Sequence, residues 1–211
     1  MMPALRQQAF YLLLKAQALA LLAFGNQAKA LFRFDQMLAL LPEDRYALAS
    51  RAHVLAQLDR PDDSIVSLQQ LICLAGSDAQ QGSAWFNLGY VLQEKGRHDE
   101  ACPAFEKATG HCPGMDRAWY GLGLALIQQG RLHEARNALK KATTLQPMAP
   151  HGWYRLAQVD LALGAPEKAL QVANQLGQFE PKMAAQLKLD IGLHVALSNR
   201  QPNEAAHDNA R

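Results

Sequence analysis

Apolar residues return along this chain at helical spacing, in short runs that glycine and proline break at regular intervals. Trp85, Leu88, Gly89 and Leu92 fall at i, i+3, i+4 and i+7, which is one face of a helix. Gly96 then ends that helix, where a positive backbone φ is often needed. Ala101, Phe105 and Ala108 mark the inner face of a second helix, and Pro113 stops it. The same order recurs as Trp119, Leu122, Gly123, Leu126, Gly130, Ala135, Leu139, Ala142 and Pro147. It recurs again, thinned, as Trp153, Leu156, Ala157, Gly164, Ala169, Leu176 and Pro181. The three tryptophans stand 34 residues apart, as do the glycines Gly96, Gly130 and Gly164. A period of this length means stacked helix pairs, because one pair does not cover its own apolar face.

Two weaker copies lie upstream. Residues 11–44 carry Gly25, Ala30, Phe34, Met37 and Pro42 in the expected places, with Leu14 where the tryptophan would stand. Residues 45–81 carry Leu48, Leu55, Ser64, Leu68 and Leu71, lack the glycine and the final proline, and have about three extra residues around 75–81. Pro61 and Pro166 sit where each can start a second helix. Residues 184–199 form one more amphipathic segment, with Leu187, Ile191 and Leu197 expected to face inward, as a capping helix. The polar stretch 201–211 is expected to be a disordered tail.

The W-x2-L-G-x2-apolar pattern followed by G, A and P at fixed offsets resembles the tetratricopeptide-repeat (TPR) family. The resemblance covers about residues 11–183 and is strongest in 82–183. It implies an all-α superhelical solenoid over residues 1–200. That solenoid would have about five helix–turn–helix repeats (11–44, 45–81, 82–115, 116–149 and 150–183), closed by the capping helix. It also implies a non-catalytic scaffold, an adaptor or co-chaperone, that binds a peptide or helix of a partner in a concave groove lined by first helices.

At the groove places that the family uses stand Phe86, Tyr120 and Tyr154, again 34 residues apart. Tyr90 lies one turn beyond Phe86, and Asn87, Gln93, Arg117, Leu124, Gln128, His151, Arg155 and Gln158 surround the rings. Aromatic rings offer large contact area, and an asparagine amide can bond a ligand's main chain through both its atoms. The other reading of the three rings is packing beside the tryptophans. One TPR subclass clamps the C-terminal carboxylate of heat-shock chaperones with lysine and asparagine. Phe86 and Tyr90 occupy those places here, so an apolar and weakly anionic ligand fits better.

The first helix changes the picture again. Phe10, Tyr11, Leu12, Leu13, Leu14, Leu19, Leu21 and Leu22 leave it little polar face, and an all-round apolar helix needs cover. Self-association through Phe10, Tyr11, Leu12, Leu19 and Leu22 would supply it and makes a self-assembling scaffold the rival reading. Contact with a membrane surface, or residues 1–10 folding back as a cap, would also do so. A third reading makes the chain the recognition subunit of a separate enzyme system.

Composition adds exclusions more than assignments. The 211 residues hold 21 basic and 19 acidic side chains, net +2, and 49% apolar residues. That balance gives no reason to expect nucleic acid or a membrane surface as partner. Cys73, Cys102 and Cys112 form no paired framework, which suits a reducing compartment and hence the cytoplasm. Arg6 ahead of Ala9 to Leu14, with Ala28-Lys29-Ala30 beyond, offers a signal-peptide reading and a periplasmic alternative, although Lys15 and Gln17 interrupt the run. His133-Glu134 lacks the second histidine of a zinc-protease motif, and no phosphate-binding loop exists. His98 and Cys102 share one helical face without a further ligand pair, so no metal and no cofactor are expected.

Overall fold

The computed structural model describes residues 4–198, so the tail expected at 201–211 lies outside the described residues. Among the described residues there are eleven helices and no strand. The chain divides after Pro113 into two compact units.

The first unit runs α1 (Ala4–Ala23), α2 (Gln27–Leu40), α3 (Arg45–Gln57), α4 (Pro61–Leu74), α5 (Asp78–Glu94) and α6 (His98–His111). Each helix packs on the next. Leu14 and Ala18 of α1 join Phe34 and Met37 of α2 and Val54 and Leu55 of α3 in one buried cluster. Leu14 is only 2% exposed, whereas the tryptophans that hold this place in the strong repeats are half-buried.

The turns explain how the second copy works without its glycine. Gly25 and Gly96 hold φ of +72° and +71°, and Asp59 holds φ of +59° in the equivalent place. Aspartate is among the few residues that tolerate this region, so the turn survives the substitution. Ser64, standing where the other copies have alanine, is buried and donates its hydroxyl to the Ala52 carbonyl at 2.7 Å.

The extra residues at 75–81 of the second copy lengthen a helix. Ser77 caps a helix that starts at Asp78, so α5 gains about one turn at its N-terminus. Residues 4–10 do not fold back as a cap but continue α1 outward, with Leu5 left 82% exposed.

The second unit runs α7 (Asp116–Gln128), α8 (Leu132–Leu145), α9 (Pro150–Ala162), α10 (Pro166–Leu176) and α11 (Pro181–Ser198). Successive helices pack in order, and α11 also touches α9. Gly123 lets α7 approach α8: a Cβ built there would lie 2.7 Å from Leu139 Cγ. Leu139 is fully buried, which contributes about 2 kcal/mol for a side chain of its size. Asp160 of α9, only 1% exposed, accepts from the Arg136 guanidinium of α8.

The terminal helix begins at Pro181, three residues before the expected start, so that proline initiates a helix after α10 has ended. Ala184, Leu187 and Ile191 are buried as expected of a cap. Leu197 is not: it is 62% exposed, in line with Leu189 and Leu193. These three follow one another at i+4, on the face turned away from α9 and α10.

Candidate functional site

The predicted ligand-facing residues all fall on first helices of helix pairs. In the first unit they sit on α5. Phe86 is half-buried, its ring 6.1 Å from Phe105 and 6.5 Å from Tyr90. Tyr90 is 52% exposed, Asn87 is exposed and Gln93 half-buried. Phe86 therefore spends part of its ring on packing and offers the rest, while Tyr90 is presented.

In the second unit they sit on α7 and α9. Arg117 and Gln128 are exposed and Tyr120 and Leu124 half-buried on α7; His151 and Arg155 are exposed and Tyr154 and Gln158 half-buried on α9. Tyr154 donates its hydroxyl to Asp190 of α11 at 3.2 Å, and Gln186 donates to the same carboxylate at 2.9 Å. Burial, and then the bond to Asp190, hold the Tyr154 hydroxyl above the usual tyrosine range. That contact accounts for Asp190, which stands where a true repeat would be apolar. Arg155 donates to Gln158 at 3.0 Å, one turn along the helix.

Three of the predicted residues converge. Arg117 and Tyr120 of α7 meet His151 of α9 around a cleft of about 190 Å³, completed by Asp116, Thr143, Gln146, Ala149 and Gly152. Pockets for free small molecules usually measure about 300–1,000 Å³. This one has room for about one large side chain, with the Tyr120 ring as its apolar wall and charged or hydrogen-bonding groups at its edge.

A second, broader cleft of about 1050 Å³ lies in the first unit, between Gln7, Gln8, Tyr11 and Leu12 of α1 and residues 41–46. Asp44 organises it, capping α3 through the Tyr46 and Ala47 amides and accepting the Tyr11 hydroxyl. Burial foremost, and then the Asp44 bond, push the Tyr11 hydroxyl upward. Apart from Tyr11 and Leu12, named for self-association, its residues were not anticipated. The signal was faint, because Asp44 reads only as a helix cap until its 33-residue separation from Tyr11 is seen to close in space.

The residues expected to mediate self-association divide in two. Leu12 and Leu19 are 57% and 49% exposed, and Phe10 is 40% exposed. Tyr11 and Leu22 pack instead against the buried cluster of the first unit.

Tetratricopeptide-repeat models match residues 80–148 and 120–181. The chain carries tetratricopeptide repeats over residues 80–181. Its fold class is that of an all-α TPR solenoid. Among solved structures, MamA from Desulfovibrio magneticus RS-1 is similar at a TM-score of 0.73 and 20% identity, over 82% of this chain and 96% of that one. YrrB, described as a TPR protein with an unusual peptide-binding site, is similar at 0.67 and 20%, over 81% and 88%. The C-terminal part of a TPR repeat-containing protein from Cytophaga hutchinsonii is similar at 0.74 and 16%, over 88% and 73%. At these identities the likeness is one of fold. No curated protein matches the sequence.

A TPR array is a protein-interaction scaffold and generally a non-catalytic one. Among the described residues no group of three metal-binding side chains comes together, and no helix is long and apolar enough to cross a membrane.

Proposed function

We propose that the chain is an adaptor that holds a peptide or helix of a protein partner against the first helices of its repeats. The cleft beside Tyr120 is the observation that carries this reading. It gathers Arg117, Tyr120 and His151 from two helices, and its size suits one anchoring side chain better than a whole metabolite. Anchor pockets of this kind carry most of the energy of an interface, and the surrounding contacts mainly exclude water. Asp116 and Arg117 at the rim balance each other, which supports an apolar or weakly charged anchor over a bare acidic tail.

The partner is recovered from the source cell by affinity capture, and its binding is then titrated against purified variants. Tyr120→Ala with His151→Ala weakens the complex by about tenfold or more, the usual effect of losing a hot-spot residue. Unchanged affinity in a variant with wild-type circular dichroism would remove the cleft from the binding site.

A further inference from the structure

The outer face of α1 is a built helix-pairing surface. Leu5, Ala9, Leu12, Ala16, Leu19 and Ala23 are all exposed and follow one another at alternating steps of four and three residues. At about 100° per residue they occupy roughly 80° of arc, centred opposite the buried Leu14. Leu13 and Ala20 extend this face on one side and Gln8 borders the other, all exposed. The helix's two charged residues, Arg6 and Lys15, fall outside it, and Lys15 is turned onto the Tyr46 ring at 4.0 Å. An uncharged seam with a 3.5-residue period is what a second helix packs along.

The order of side sizes indicates which helix. Leucine and alanine alternate strictly along the seam, so a two-fold axis near Leu14 brings unlike sizes together. Leu5 of one copy meets Ala23 of the other, Ala9 meets Leu19, and Leu12 meets Ala16. Every layer is then one large and one small residue, the arrangement that lets two helices approach without voids or overlap. A parallel pairing would instead alternate crowded leucine layers with empty alanine layers. A surface complementary to itself under a two-fold axis is an isologous dimer interface.

Area agrees. A specific interface buries about 800 Å² on each partner. Leu5, Leu12, Leu13 and Leu19, between 49% and 82% exposed, together with four exposed alanines, offer an area of that order. The pairing also brings no like charges together, since Arg6 of each copy lies opposite Leu22 of the other, well off the axis.

The geometry points to a homodimer in which α1 of two copies packs antiparallel through this leucine–alanine seam. The occupant of the face is a second copy of this chain, and the Tyr120 cleft takes no part.

Light scattering of the full chain, followed by analytical ultracentrifugation of variants, tests this. The wild type has twice the 23.2 kDa mass of one chain. Leu12→Glu raises the dissociation constant by about a hundredfold, because each dimer loses two apolar contacts to a charge. Ala16→Leu alone sets leucine against Leu12 and weakens the dimer by about tenfold. Combining it with Leu12→Ala restores the large–small layer and brings the constant back to within about threefold of wild type. All these positions are exposed, so each variant keeps its circular dichroism. A single-chain mass, or a dimer indifferent to Leu12→Glu, overturns the proposal. So does an assembly larger than a dimer, which would instead implicate the exposed leucines of α11. Tighter association of Ala16→Leu would mean parallel pairing and overturn it as well.

Discussion

Single residues set the spacing of this fold. Gly123 has no room for a Cβ, because Leu139 Cγ and Cδ2 stand 2.7 and 2.8 Å from where it would be. Gly123→Ala therefore overpacks the α7–α8 contact and lowers stability by about 2 kcal/mol in urea unfolding. Adding Leu139→Ala costs less than the sum of the two single changes, since the second relieves the first. Gly130 is the opposite case: a Cβ there meets open space, but its φ is +72°. Gly130→Ala costs about 1 kcal/mol through the backbone alone, and no neighbouring substitution rescues it. The sequence announced both glycines by their period. It hid Asp59, because an aspartate in a left-handed turn looks like any surface acid until its φ is known. The second copy does lack the glycine, and Asp59 takes that place in the turn.

Between elements, polar ties hold helix pairs in register where the apolar pattern thins. Arg51 of α3 reaches Asp35 of α2 at 2.8 Å and Ser67 of α4 at 2.6 Å, so one guanidinium spans three helices. Arg136 does the same service for the buried Asp160. Removing Arg136 leaves a carboxylate with little water around it, and Arg136→Ala lowers stability by about 3 kcal/mol in the same unfolding measurement. Asp160→Asn in that background recovers much of the loss, because an amide tolerates burial better than an unpaired charge. A double variant no more stable than Arg136→Ala would mean that the arginine acts by packing its stem. Ser77→Ala, which strips the cap from the added turn of α5, costs about 1 kcal/mol.

The periodic positions made these helices legible, with Pro61 and Pro166 starting α4 and α10 where the spacing put them. Their ends were less so. Leu197 stands six residues beyond Ile191, about 240° round the helix, so it joins Leu189 and Leu193 on the exposed face of α11. Residues 4–10 were equally opaque, since an apolar stretch continues a helix or folds back on it with the same composition.

Across the whole molecule, a repeat fold separates what holds it together from what it presents. Tryptophans, small residues and turn glycines belong to stacking, and the period exposes them at once. The residues between them on the first helices are free to differ, so the period locates them without naming their ligand. The sequence placed Arg117, Tyr120 and His151 on the expected helices; only the structure shows that these three surround one cleft while Tyr154 is tied to Asp190. Amide hydrogen exchange of the full chain, with and without saturating partner, is the most direct test of this division. Protection is expected in the N-terminal halves of α7 and α9, around 116–124 and 150–158, with α10 unchanged. Protection confined to α8 and α10, with α7 and α9 exchanging as before, would contradict a ligand face on the first helices.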